Sequence, residues 1–246
     1  MSSNEIIHAS VIVCHYSLAD DFGEEKAQKA DSRSDMLRVT MSSLYENTEY
    51  PADIIVVDNG GKPDDSEYLL ELARRGLINT YIRNKENMNF GWAWNQGAAL
   101  ATGQFLCFTC NDLQFKKGWL AKTIEPLLKY PDRKLIATPI VTPDKDRDKY
   151  WVGRLDEHRL NTFAGSNCMV MHKDTYRDIG PFSTSQVAGT YWYRKKSDMG
   201  YMVVVTPENM AEHLAHQGGV NFYKHIPVKK TLLNKQVIDY SWKKVR

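Results

Sequence analysis

Apolar and polar positions fall in blocks along the first half of the chain, and the block lengths set the expected elements. Ala9-Ser-Val-Ile-Val-Cys14 is a short, nearly continuous apolar run, as in a strand buried on both faces. Over residues 35–45 the apolar residues Met36, Leu37, Val39, Met41 and Leu44 recur at helical spacing. Asp53-Ile-Ile-Val-Val-Asp58 predicts a second strand, closed by the turn Asn59-Gly60-Gly61. Residues 64–75 begin acidic and end basic, which suits a helix dipole. A third strand is expected over 77–82, a helix over 91–101 stopped by Gly103, a fourth strand over 105–108 and a helix over 119–129. Strands alternating with helices predict an α/β fold of Rossmann type: an open, mostly parallel sheet with helices on both faces.

The second half is less regular. Residues 135–141 and 201–206 read as strands, 144–148 as a charged surface loop, and 161–171 as an apolar stretch broken by Gly165. The polar stretch 19–34 is long for a connection between a strand and its helix, and predicts a mobile loop over the site.

Composition adds bounds. A chain of 246 residues, 42% hydrophobic and 25% charged, can bury one sizeable core and is ordinary for a soluble protein. No apolar stretch approaches the roughly 20 residues that span a bilayer, and Met1-Ser-Ser-Asn-Glu5 lacks the basic and apolar parts of a secretion signal. Cys14, Cys107, Cys110 and Cys168 lie in or beside apolar runs, which reads as reduced core thiols in a cytoplasmic protein. Cys107 and Cys110 have CxxC spacing, but within a strand and without a second pair this argues against a redox or zinc pair. The net charge of +2 hides an asymmetry: residues 223–246 hold seven Lys/Arg and one acid, Asp239. The chain is therefore expected to be one domain over 1–222 with a basic extension over 223–246, either solvated or docked on anionic lipid or nucleic acid.

Candidate chemistry gathers where the strands should end, which is where open α/β sheets bind ligands. Cys14-His15-Tyr16 follows the first strand, Asp58-Asn59-Gly60-Gly61 the second, Asn87-Met-Asn-Phe-Gly91 the third, ahead of a helix bearing Asn95, and Asn111-Asp112 the fourth. A carboxylate can accept from a pyrimidine N–H, helix N-terminal amides can face phosphate, and a cation held by Asp112 can bridge a diphosphate. The plainer alternative is that these residues only make turns.

In this order the signals resemble those of inverting glycosyltransferases of family 2, with the GT-A nucleotide-diphospho-sugar fold, over residues 11–219 or so. The resemblance implies a nucleotide-binding half over about 1–113 and an acceptor half over about 114–222. It implies that Asp58 holds a uracil or thymine, and that His15, Tyr16, Asn59, Asn89, Gly91, Asn95 and Asn111 surround the nucleotide-sugar. Cys110-Asn-Asp112 stands at the family's metal motif, so Asp112 would hold Mn²⁺ or Mg²⁺, completed by His213, with His216 as its rival. The segment 163–171 and Asp178-Ile-Gly-Pro-Phe182 resemble the acceptor side, so Gly165 and Ser166, with Trp151, Tyr191, Trp192, Arg194, Lys195 and Lys196, are expected to meet the acceptor.

Two departures stand out. The first acid of the metal motif is Cys110 here, and the family's catalytic acid pair falls at Ala188-Gly189, where there is none. Asp198 and Glu157 are the nearest unassigned acids in sequence for the role of general base. The resemblance implies a metal-dependent glycosyltransferase moving sugar from a UDP- or TDP-linked donor to a hydroxyl, with a glycan as default acceptor. Tyr191-Trp-Tyr-Arg-Lys-Lys196 and the basic C-terminus raise a second acceptor, hydroxymethylated bases of DNA. The missing acid pair raises a third reading, a non-catalytic nucleotide-sugar or carbohydrate-binding protein.

Overall fold

The apolar runs become the inner strands of a nine-stranded sheet. A computed structural model describes residues 7–17, 24–139, 151–162, 167–184 and 188–214, with the backbone alone over 24–32 and 188–190. Four strands, β1 (Ala9–His15), β2 (Ala52–Asn59), β3 (Thr80–Asn84) and β4 (Phe105–Cys110), alternate with α1 (Glu24–Asn47), α2 (Pro63–Arg74) and α3 (Phe90–Leu100). After them come the short β5 (Leu113–Phe115), α4 (Trp119–Lys129) and β6 (Leu135–Thr138). The rest is β7 (Trp151–Leu155), β8 (His158–Asn161), β9 (Cys168–His172), α5 (Lys173–Ile179), α6 (Ala188–Asp198), β10 (Met202–Val205) and β11 (Ala211–His213).

The sheet order is β3-β2-β1-β4-β9-β6-β10-β8-β7. β1, β2, β3 and β4 pair in parallel, β6 and β10 pair in parallel, and β9 and β8 are antiparallel to their neighbours, so only those two strands oppose the other seven. Side chains alternate across the sheet with period two. Val11, Val13, Ile54, Val56 and Cys107 face α1, α2 and α4 through Leu37, Leu44, Leu69, Leu120 and Ile124. Ile12, Ile55, Val57, Leu106 and Phe108 face α3, α5 and α6 through Trp94, Ala98, Tyr176, Ile179 and Trp192. Trp94 packs within 5.0–5.8 Å of the rings of Phe90, Phe108 and Phe182, and donates its indole N–H to the Thr109 carbonyl at 3.2 Å. Truncating such a side chain costs about 3–5 kcal/mol.

Register places the chemistry. His15 lies opposite Asp58 across β1 and β2, and Cys14 lies opposite Cys110 across β1 and β4. The polar strand ends therefore stand side by side along one edge of the sheet.

Several expectations change. α1 starts at Glu24, so most of the stretch expected as a loop over 19–34 is helix. Glu-Glu-Lys-Ala-Gln-Lys-Ala favours helix by propensity while lacking the apolar stripe that marks 36–44. β3 begins at Thr80 rather than 77, because Leu77 closes α2 through its N–H to the Leu72 carbonyl, and buried Ile78 packs in the core without joining the ladder. The apolar stretch 161–171 is the end of β8 and most of β9, with 163–166 outside the described residues. The loop expected over 144–148 also lies outside them. Among the described residues no helix is long and apolar enough to cross a membrane.

Candidate active site

The ends of β4 and β11 build a possible metal centre. β11 pairs antiparallel with β5, His213 opposite Leu113, and the Leu214 N–H donates to the Asp112 carbonyl at 2.8 Å. This small sheet sets the His213 ring beside Asp112, with Nε2 3.2 Å from Oδ2. The other carboxylate oxygen, Oδ1, is buried and has no hydrogen-bond partner among the described residues. An unpaired buried carboxylate oxygen is costly unless something charged is meant to meet it. Donor atoms of Cys110, Asp112 and His213 all lie within 4.8 Å of one another. Burial pushes the Asp112 carboxyl up, but the hydrogen bond and charge of His213, the Cys110 thiol and the Arg33 guanidinium more than offset it and hold it below the usual range. Burial and the charge of Asp112 push the Cys110 thiol well up. A carboxylate kept ionised, an imidazole and an orphan oxygen together fit a divalent cation.

His15 is the hub behind that corner. It is fully buried, and its Nδ1 accepts from the Asn111 carboxamide at 3.0 Å. That leaves the proton on Nε2, which faces Ser17 Oγ at 3.5 Å and Asp65 Oδ2 at 3.6 Å. Burial outweighs the pull of Asp58 and Asp65 and lowers the His15 pKa to about 4, so the ring is neutral. Asp65, also fully buried, accepts from Ser34 Oγ at 2.8 Å and from Arg38 at 3.4 Å, tying α1 to α2. The sequence marked Asp65 only as part of an acidic helix start; nothing in its spacing pointed inward.

A folded pKa below the ordinary value of 6.5 means the unfolded chain binds the extra proton. The stability from neutral His15 is thus complete above pH 6.5 and is lost as pH falls from 6.5 towards 4, by about 3 kcal/mol. Urea midpoints measured across that window should fall in the wild type, and the His15→Gln variant should lose most of this slope; an unchanged slope in the variant would move the effect to other groups.

Asp58, expected to hold the base, is turned into its own turn. The carboxylate is fully buried; Oδ1 accepts from the Gly61 N–H at 2.8 Å, and Oδ2 from the Ser66 hydroxyl at 2.5 Å and the Tyr81 hydroxyl at 2.9 Å. Gly60 has φ +83, and a Cβ there would meet the Glu86 carbonyl carbon at 2.7 Å, so only glycine fits where the turn presses on the 84–89 loop. Asn59 is committed in the same way. Its carboxamide donates to Asn87 Oδ1 at 3.0 Å and the Asn89 carbonyl at 3.1 Å, and accepts from Asn84 at 2.9 Å and the Met88 N–H at 3.1 Å. Asn89, at φ +72, caps α3 by accepting from the Trp92 N–H at 3.0 Å, and its amide donates to the Thr184 carbonyl. Gly91 is buried in the first turn of α3. Asn95 joins α3 to the 180–182 turn: it donates to the Phe182 carbonyl at 2.8 Å and accepts from the Phe182 N–H and the Tyr176 hydroxyl, both at 2.9 Å. These residues shape the edge through protein partners, whereas Tyr16 is half exposed and offers its carbonyl to Arg33 at 3.3 Å.

On the side expected to meet the acceptor, α6 divides its residues by helical phase. Trp192 is buried against Phe182 at 4.6 Å and donates to the Gly180 carbonyl at 3.0 Å. Lys195 reaches the Ile179 carbonyl. Lys196 is fully buried, donating to the Thr162 carbonyl at 2.6 Å and the Tyr201 carbonyl at 3.1 Å, and burial lowers its pKa to about 8. Of these five residues, Tyr191 and Arg194 are exposed without such ties among the described residues. Of the three cations at 194–196, two serve backbone carbonyls. Lys196→Glu should lose on the order of 4 kcal/mol by setting a buried carboxylate against two carbonyl oxygens, while Lys196→Met should cost far less. Thermal melts of both variants check this, and equal melts would mean that Lys196 is not buried.

Asp198 ends α6 on the exposed surface just ahead of β10, at the edge where the strands of this half begin, not where Asp112 lies. Glu157 sits in the exposed β7–β8 turn next to Asp156, which bonds Lys129 and Tyr130 at the end of α4. Neither acid is among the side chains placed around Asp112. Trp151 lies exposed on the edge strand β7, with its indole N–H on the Gly153 carbonyl at 2.7 Å and Arg159 5.8 Å from its ring. Gly165, Ser166 and His216 lie outside the described residues.

Known proteins share this fold. A family model described as glycosyl transferase family 2 matches residues 31–200. The putative polypeptide N-acetylgalactosaminyltransferase 13 of Drosophila melanogaster is 31% identical over 124 residues, 46% of this chain and 22% of that protein. GalNAc-T7, solved with UDP, GalNAc and Mn²⁺, superposes with a TM-score of 0.62 at 14% identity, over 86% of this chain and 44% of its own. The mannosyltransferase PcManGT of Pyrobaculum calidifontis, solved with GDP-Man and Mn²⁺, gives 0.64 at 18% identity, over 86% and 58%. S. aureus TarS 1–349 gives 0.62 at 14%, over 85% and 61%. The chain thus spans about a fifth of the curated relative and roughly half of the solved chains, and the structural likeness is one of fold.

Proposed function

The chain belongs to glycosyl transferase family 2, and on that premise we propose that it is a metal-dependent glycosyltransferase that moves a sugar from a UDP- or TDP-linked donor to an acceptor hydroxyl. One observation carries the reading: the orphaned, buried Oδ1 of Asp112 beside His213 at the carboxyl edge of the sheet. Asp112 and His213 would hold Mn²⁺ or Mg²⁺. When bound, the cation supplies charge neutralisation for the departing diphosphate. Two solved structures of this fold were determined with Mn²⁺ and UDP or GDP-Man, which supports a divalent ion and a nucleotide-linked donor.

The chain's own residues prepare that corner. His15 orients Asn111 and so fixes the strand end that carries Asp112. Asp58 and Asn59 hold the 58–61 turn and the 84–89 loop, whose backbone groups border the donor, with Tyr16 beside them. Asn89 starts α3, whose N-terminal amides favour an anion. For the acceptor we take a glycan hydroxyl, approached from the face bearing Tyr191 and Arg194. A DNA acceptor is less favoured, because Lys195 and Lys196 are engaged inside the protein.

The test is thermal-shift and donor-hydrolysis screening with UDP-, TDP- and GDP-sugars, with and without Mn²⁺. A shift and turnover for pyrimidine donors that both need Mn²⁺ support the proposal. Binding without turnover for any acceptor would leave a nucleotide-sugar-binding protein, and a preference for GDP-sugars would reject the pyrimidine donor.

A further inference from the structure

We propose that the thiol of Cys110 is a third protein ligand of the cation, making a thiolate–carboxylate–imidazole site that selects thiophilic divalent ions over Mg²⁺. The inference rests on the metal reading of Asp112 and His213 and refines it.

Three observations carry it. First, Cys110 closes β4 and Asp112 lies two residues on, in the bend before β5, while the Asn111 carboxamide between them is turned to His15. Second, the Cys110 sulfur, an Asp112 oxygen and a His213 nitrogen are all within 4.8 Å of one another. Ligands bound at about 2.0–2.3 Å around one tetrahedral ion stand roughly 3.5–4 Å apart, so the cluster needs only a small contraction. Third, the buried Asp112 Oδ1 has no protein partner among the described residues, which leaves an acceptor free on that side.

Cys107 and Cys168 are not competitors for this place. Cys107 and Cys168 are fully buried and face each other at 3.8 Å, inside the sheet. Cys110 is half-buried; its thiol contacts the Asn167 carbonyl at 3.2 Å and the Asp112 carboxylate, weak sulfur contacts that an ion can replace.

The donor set decides the ion. Carboxylate and water suit Mg²⁺, whereas thiolate and imidazole favour Zn²⁺ and Co²⁺. The balance is simple: the S–H bond breaks, a metal–sulfur bond forms, one proton leaves to solvent per ion bound, and nothing is oxidised or reduced. An acid in place of Cys110, as the family resemblance would put there, makes a hard oxygen site instead.

The experiment titrates Co²⁺ into the metal-free full chain and reads the near-ultraviolet sulfur-to-cobalt charge-transfer band alongside the visible cobalt bands. Wild type should develop both and saturate at one ion. Cys110→Ser and Cys110→Ala should keep visible cobalt bands, lose the charge-transfer band and bind Co²⁺ and Zn²⁺ at least roughly tenfold more weakly. Cys110→Asp should also lose the band and gain Mg²⁺ in competition. Circular dichroism confirms that each variant is folded. Cobalt bound by wild type without a charge-transfer band, or a band that survives in Cys110→Ser, overturns the thiolate ligand and leaves the Asp112–His213 site standing. Wild type that binds no cobalt, zinc or manganese overturns the metal reading itself.

Discussion

Asp112→Asn is expected to abolish Mn²⁺-dependent donor binding and to lower turnover by about a thousandfold or more, which is about 4 kcal/mol of transition-state stabilisation. The substitution keeps the shape of the side chain and one carbonyl oxygen for His213, so only the charge is removed. That charge is largely buried, with the side chain 16% exposed, and one of its oxygens lacks a partner among the described residues. The metal-free protein therefore gains on one count, relief of a desolvated charge, and loses on another, its attraction to His213. We expect the two to leave stability within about 1 kcal/mol of wild type. Chemical denaturation without metal, thermal shift with Mn²⁺, and turnover separate the outcomes. A variant that turns over donor at the wild-type rate sinks the metal assignment, and one that fails to fold shows that the corner is structural.

How much of this was legible in the sequence depends on the kind of signal. The strands β1, β2 and β4 and the helices α2, α3 and α4 stand within a residue or two of the runs that mark them, because burial on both faces imposes a long apolar pattern. The pair β5 and β11 was not visible. Three-residue strands carry too few positions to show a period, yet their pairing is what brings His213 to Asp112. His213 was found by family resemblance, since spacing across a hundred residues says nothing about contact.

Side-chain type also under-determines direction. Tyr191-Trp-Tyr-Arg-Lys-Lys196 reads as one basic aromatic patch only while its secondary structure is unknown. On a helix, Trp192 and Lys196 are four apart and share the buried face, and Tyr191 and Arg194 share the exposed one. The carboxamides of Asn59 and Asn89 lie at a strand end and a helix cap, and that of Asn95 lies within α3. Their partners are backbone and side-chain groups of neighbouring segments, because the polar groups of such ends are satisfied within the protein before any ligand arrives.

Asp58→Ala is expected to lose about 3–5 kcal/mol of stability, the largest loss among the site residues. The buried carboxylate accepts from Gly61, Ser66 and Tyr81, and alanine leaves all three donors unmet. For a chain of this size that corresponds to a fall in Tm of very roughly 6–20 °C. Arg83, 3.8 Å from the carboxylate but half exposed, adds little. Tyr81→Phe removes one of the three bonds and should cost about 1 kcal/mol. The size of the loss also decides what Asp58 does. A carboxylate that touches the base directly would, when removed, weaken UDP and TDP selectively and leave the melt nearly unchanged. One that holds the turn would lower the melt and weaken every nucleotide alike, because the 58–61 backbone and the 84–89 loop packed on Gly60 would loosen together. Calorimetric titration with UDP and GDP, paired with melts of both variants, reads the difference. The bonds already made by both carboxylate oxygens favour the second outcome, and a stable Asp58→Ala protein with a selective pyrimidine defect would return Asp58 to the base pocket.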